Sequence, residues 1–91
     1  MDNHMKEQLD YVVYILKCSD NTLYTGITNN LEQRLAMHRQ GKASKYTRAR
    51  LPVKLVHVEY GFSKGQALSR ERKIKKLSRE QKLLLINSPD L

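Results

Sequence analysis

One stretch near the start limits what this chain can fold into. Tyr11 to Cys18 (Tyr-Val-Val-Tyr-Ile-Leu-Lys-Cys) is almost unbroken in apolarity and rich in β-branched and aromatic side chains. A strand with one wet face alternates, whereas a continuous apolar run is what a strand covered on both faces requires. In a chain of 91 residues, which supports one core and buries about two-thirds of its unfolded surface, that strand has to be central in its sheet.

Elements to surround it follow in order. Ser19-Asp20-Asn21 supplies turn residues and Thr22 to Thr28 a second strand, so the pair reads as an antiparallel hairpin. Its register decides whether Tyr14 and Tyr24 share a face. A turn centred on Ser19 or Asp20 puts them together, one centred between Asp20 and Asn21 puts them on opposite sides, and the shared face is the expectation. Asn29 or Asn30 can cap a helix, with Gln33 reaching back and Gly41 ending it in a left-handed conformation. Lys42 to Pro52 reads as a basic connecting loop rather than a packed element. Val53 to Tyr60 is a third strand. Ser63 to Gln66 is a capping-box pattern opening a helix to about Leu77, and Ser78 to Gln81 repeats it before Leu83 to Ile86. The expected order is β-β-α-β-α-α, an α+β domain over residues 11–86 with loose tails at 1–10 and 87–91.

Three charged or polar residues sit where these helices should be apolar. Leu31 and Leu35 define the stripe of the first helix, yet His38 falls inside it and Arg34 at its edge, four residues apart and therefore stacked on one face. In the helix after Ser63, Ala67, Leu68, Ile74 and Leu77 draw the stripe, and Glu71 lies within that arc, the one acid between Arg70, Arg72, Lys73, Lys75 and Lys76. A surface ion pair with Lys75 is the plain account of Glu71 and is worth only about 0.3–0.5 kcal/mol. Its position argues for more, because a carboxylate facing a core is costly unless it is paired or binds a cation.

Composition narrows the partners. Fifteen Lys and Arg between Arg34 and Lys82 stand against Glu59, Glu71 and Glu80, a balance of +12 within a net charge of +8. Such a surface favours a polyanion, DNA or RNA, with Lys42, Lys45, Arg48 and Arg50 of the connection and Arg70, Arg72, Lys73, Lys75 and Lys76 of the helix as contact candidates. Tyr46, the aromatic in that connection, is a candidate for stacking on a base. The lone cysteine, Cys18, has no partner for an internal disulfide and reads as a small core residue. There is no run of about 18 apolar residues and no secretion-signal pattern, so a cytoplasmic protein without membrane contact or organic cofactor is the expectation.

Two tyrosines, an arginine, a histidine and a glutamate suit one chemistry together. Phosphodiester hydrolysis needs a deprotonated water, neutralisation of phosphate charge and usually a divalent ion. Glutamate suits Mg²⁺, arginine forks onto phosphate, and histidine or tyrosine relays protons.

In this order and spacing the residues resemble the GIY-YIG nuclease superfamily, most closely its small stand-alone bacterial YhbQ-like branch. Val12-Val13-Tyr14 matches the first motif and Tyr24-Thr25-Gly26 the second. The helix from Asn30 to His38 matches the segment with the family's arginine and, four later, its histidine or tyrosine. Ala67 to Glu71 matches the segment with the metal-binding glutamate. The Gly-Ile of the first motif is Val12-Val13 here, and Asn87 is the one candidate after Glu71 for the family's late asparagine. The resemblance implies a small three-stranded antiparallel sheet flanked by helices and one Mg²⁺ or Mn²⁺ ion on Glu71. It further implies Arg34 on the scissile phosphate, and Tyr14, Tyr24 and His38 positioning or deprotonating the water, with the base itself left open. The function so implied is a metal-dependent endonuclease acting on DNA, with branched, nicked or damaged structures as candidate substrates and RNA not excluded. The alternative is a nucleic-acid-binding module that keeps the fold and has weak or no catalysis.

Overall fold

The computed structural model describes residues 8–88. Tyr11–Lys17 (β1), Leu23–Thr28 (β2) and Lys54–Phe62 (β3) form one antiparallel sheet in the order β2-β1-β3, so the apolar run is the central strand. Val12 to Leu16 are all buried. The two faces of β1 serve two cores. Val13 and Ile15 pack with Ala67 and Ile74 of Lys64–Lys75 (α3) and with Leu85 and Ile86 of Arg79–Asn87 (α4). Val12, Tyr14 and Leu16 pack with Leu31 and Leu35 of Leu31–Arg39 (α1) and with Val53, Leu55 and Val58. Cys18 is buried, as a small core residue should be.

The hairpin has the shared-face register. Tyr14 pairs with Gly26 and Leu16 with Tyr24, which centres the turn on Asp20. Local chemistry fixes that centre. Asn21 adopts a left-handed φ of 68°, which asparagine tolerates, while Asp20 Oδ1 accepts from both the backbone N–H and the hydroxyl of Thr22.

Helix ends follow their signals with one exception. Asn30 caps α1 by accepting from the N–H of Gln33, but the N–H of Asn30 donates to Thr28 Oγ1, so the Gln33 side chain is not needed to reach back. At the other end Gly41 takes φ 75°, its N–H bonds the His38 carbonyl and that of Lys42 bonds the Met37 carbonyl, a Schellman pair. Ser63 with Gln66 and Ser78 with Gln81 form complete capping boxes.

Four readings from the sequence need correction. The connection after Gly41 is a packed element: Lys45–Arg48 (α2) is a one-turn helix capped by Ser44, and its Thr47 is fully buried. The apolar stripe of α3 is narrower than its spacing implied, since Leu68 is 37% exposed while Ala67 and Ile74 are at zero. Asn87 belongs to the last turn of α4 and not to a tail. Arg70, read as one more free cation of the basic helix, has a partner within the fold. Its Nε and Nη2 fork onto both carboxylate oxygens of Glu59 at 2.8 and 2.9 Å, and His57 Nε2 lies 2.9 Å from the same carboxylate. The Arg70 hydrogen bond, ahead of other causes, holds Glu59 below the usual carboxylate range. The expected tails at 1–7 and 89–91 lie outside the described residues.

Candidate active site

The even-numbered face of the hairpin and the inner face of α1 and α2 converge on Tyr14. Its hydroxyl lies 2.8 Å from His38 Nε2, and both residues are fully buried. Tyr24 joins them, with ring centroids 6.4 Å from Tyr14 and 5.2 Å from His38. The hydroxyl of Tyr14 hangs over the backbone of β2, because position 26 is a glycine. A β-carbon there would stand 2.6 Å from that oxygen.

Behind His38 lies a residue that the sequence did not single out. His38 Nδ1 is 2.9 Å from Thr47 Oγ1, and that hydroxyl has two further acceptors in reach, Ser44 Oγ at 3.0 Å and the Ser44 carbonyl at 3.4 Å. With Thr47 donating to Ser44, its oxygen is free to accept the Nδ1 proton of His38. The pattern assigns the tautomer: Nδ1 carries hydrogen and Nε2 accepts from the Tyr14 hydroxyl. A serine at the start of a turn with a threonine three residues on was the available signal. One helical turn is too short to show periodicity, so the stretch read as loop.

Charge is arranged around this pair. Burial lifts the Tyr14 phenol far above its ordinary value and Tyr24 adds to it, while the Arg34 charge opposes and Glu71 adds a small push. Arg34, on α1, and Glu71, on α3, therefore both act on Tyr14, although their helices cover opposite faces of the sheet. Burial first, and then the Arg34 charge, hold the His38 imidazole below its ordinary value, so it is neutral at neutral pH. Glu71 is mostly covered, its side chain 17% exposed, and its Oε2 pairs with Lys75 Nζ at 3.0 Å. The surface pairing weighed from the sequence is thus present, on a carboxylate that is mostly covered.

The donor set constrains any metal. Among the described residues no group of three or more His, Cys, Asp or Glu converges. A lone carboxylate is a donor set for Mg²⁺ or Mn²⁺, which keep most of their waters, and does not fit a protein-caged transition metal. Asn87 stands apart, sharing a cleft with Glu80, Leu83 and Leu84. Of the basic candidates, Lys42, Lys45, Arg48, Arg72, Lys73 and Lys76 are exposed. Arg50 is occupied: Nε bonds Asp20 Oδ2 at 3.1 Å, Nη1 bonds the Tyr46 carbonyl, and the guanidinium lies 3.8 Å from the Tyr46 ring centroid.

Thr47→Val keeps the volume of this buried site and removes its hydroxyl. We expect about 1–3 kcal/mol of destabilisation from the orphaned imidazole N–H and roughly tenfold slower turnover as His38 loses its fixed tautomer, with Thr47→Ser restoring turnover. Equal turnover in the valine and serine variants would remove Thr47 from the site. The pH dependence has a fixed sign. His38 binds its proton less readily folded than unfolded, so its contribution to stability is complete above pH about 6.5 and is lost as pH falls from there toward the lowered folded value. Melting temperatures against pH should show this acid loss in the wild type and less of it in His38→Gln.

Comparison with known proteins shows the family. Residues 10–83 match the family model described as the GIY-YIG catalytic domain. A UPF0213 protein of Clostridium perfringens is 58% identical over 79 residues, covering 87% of this chain and 85% of that protein. A UPF0213 protein of Staphylococcus haemolyticus is 54% identical, covering 84% and 93%. Among solved structures, the solution NMR structure of a UPF0213 protein from Bacillus halodurans matches with a TM-score of 0.55 at 42% identity, over 84% of this chain and 81% of that one.

Proposed function

The chain belongs to the GIY-YIG family of catalytic domains, and on that footing we propose that it is a metal-dependent endonuclease hydrolysing phosphodiester bonds of DNA. The observation that carries the reading is the buried Tyr14–His38 hydrogen bond placed where Arg34 and Glu71 both act on the phenol.

Burial raises the affinity of Tyr14 for its proton, and the bond to His38 gives that proton a route. As the attacking water gives a proton to Tyr14 Oη, the phenolic proton moves to His38 Nε2, and the resulting imidazolium keeps its Nδ1 hydrogen on Thr47 Oγ1. The neutral, desolvated His38 is ready to accept. Arg34 forks onto the non-bridging phosphate oxygens and offsets the charge that grows on them. Tyr24 positions the water. Glu71 would hold the Mg²⁺ or Mn²⁺ ion, which when bound supplies further neutralisation of phosphate charge. Lys42, Lys45 and Arg48, which line one groove, together with Arg72, Lys73 and Lys76, hold the DNA backbone without reading sequence. Branched, nicked and damaged DNA are the substrates to try first.

One observation favours a second reading, binding without catalysis: the Glu71 carboxylate is paired with Lys75. The same assay separates the two. Purified protein should cleave nicked, branched or single-stranded DNA with Mg²⁺ or Mn²⁺ and stop when EDTA is added. Salt-sensitive binding with no cleavage of any of them would establish the second reading, and cleavage unaffected by EDTA would dismiss the metal.

A further inference from the structure

A cleft of about 270 Å³ lies at the outer edge of β2, lined by Leu23, Tyr24, Thr25, Tyr46, Lys75 and Lys82. Its walls differ in chemistry. Tyr24 and Tyr46, with ring centroids 6.0 Å apart and planes inclined by 31°, make an aromatic floor. Lys75 and Lys82, from α3 and α4, bring ammonium groups from the other side of the sheet. It touches the candidate active site at two points. Tyr24 is shared with the Tyr14–His38 cluster, and Lys75 is bonded to Glu71.

The floor is fixed before anything binds. Arg50 lies against the Tyr46 ring, bonds the Tyr46 carbonyl and is itself held by Asp20 on the hairpin turn. Hydrogen bonding from Thr22, ahead of Arg50, keeps that aspartate ionised by lowering its pKa. The ring is thus clamped while 38% of the residue stays exposed, an aromatic surface whose ordering cost has been met. Lys82 has no carboxylate partner among the described residues. The volume is just below the roughly 300–1,000 Å³ of drug-sized pockets, which suits one nucleotide and excludes a duplex.

We propose that this cleft is a nucleotide subsite that takes one unpaired base of the substrate strand onto Tyr46 and Tyr24, with the flanking phosphate on Lys82 and Lys75. The inference rests on the nuclease reading and deepens it. A base held there sets the register of the strand against Tyr14 and requires the nucleotide beside the scissile bond to leave its stack. Any paired substrate then has to be opened locally, at a flap, gap or lesion, before it is cut.

The test reads binding alone. Single-stranded DNA 12-mers, each with one 2-aminopurine at a different position, are titrated with the protein in EDTA, where hydrolysis is absent on the proposed chemistry. Because the basic face holds the backbone in any register, fluorescence should be quenched wherever along the strand the probe lies. The quench should persist in Tyr46→Phe and vanish in Tyr46→Leu, with affinity falling roughly tenfold. Lys82→Met should keep the quench and flatten the slope of log Kd against log salt by about 0.7, one single-strand phosphate contact. The same quench in Tyr46→Leu overturns the subsite. An unchanged slope in Lys82→Met overturns its phosphate half. Quenching without any cleavage in the Mg²⁺ assay supports the subsite and dismisses hydrolysis, so the two readings fail separately.

Discussion

Glu71→Gln should slow metal-dependent cleavage by roughly the 10²–10³-fold that loss of one transition-state-stabilising group costs, while leaving the fold intact. The substitution keeps size and shape, removes the charge and exchanges one acceptor oxygen for an NH₂ donor. Its structural cost is the pair with Lys75, whose side chain is 55% exposed; such an i,i+4 pair contributes about 0.3–0.5 kcal/mol, a shift in melting temperature of about 1–4 °C for a domain of this size. Affinity for DNA in EDTA should hold or rise, because a negative charge leaves a surface that binds phosphate and Lys75 is released. The rates are compared over a Mg²⁺ titration: a glutamine variant that regains full rate at high Mg²⁺ has lost affinity only, and one that stays slow has lost the chemistry. Cleavage equal to wild type at every metal concentration would show that Glu71 is only the surface partner of Lys75.

That contrast between a charge inside a site and a charge in a surface pair also marks what the sequence could tell. Arg34, His38 and Glu71 stood out because helical spacing put them on stripes that should have been apolar; the fold bonds His38 to Tyr14 and leaves the Glu71 side chain only 17% exposed. Periodicity reports which face a residue occupies, so it found them. It cannot report pairing between elements far apart in the chain, and so Arg70 and Arg50 looked like their exposed neighbours although Glu59 and Asp20 hold them. The hairpin register depended on a single turn residue, and only the bonding of Asp20 with Thr22 and the backbone of Asn21 settled it. Ser44 and Thr47 were hidden by the shortness of their helix. Lys82 counted toward net charge without a place, because its relation to Tyr46 exists only across the sheet edge.

Gly26 was legible as part of a motif but not as a constraint, and it gives the largest expected effect on the fold. Gly26→Ala places a β-carbon 2.6 Å from Tyr14 Oη, 2.8 Å from Cζ and 3.1 Å from Tyr24 Cε2. A long flexible side chain would swing aside. Tyr14 cannot, since it is fully buried with its hydroxyl bonded to His38, itself buried and bonded to Thr47. Overpacking of this kind costs about 1–3 kcal/mol, which lowers the melting temperature of a domain this size by about 5–20 °C. Any relief moves the phenol off His38, so cleavage should fall by about 10²-fold or more even at a temperature where the variant is folded. Tyr14→Phe removes the oxygen that collides and leaves Cζ close. Gly26→Ala combined with Tyr14→Phe should therefore lose less stability than the two single variants summed, a coupling readable by thermal melts as a double-mutant cycle. Strict additivity, or an alanine variant that melts and cuts like the wild type, would mean that the close approach of Tyr14 to β2 is not what keeps residue 26 a glycine.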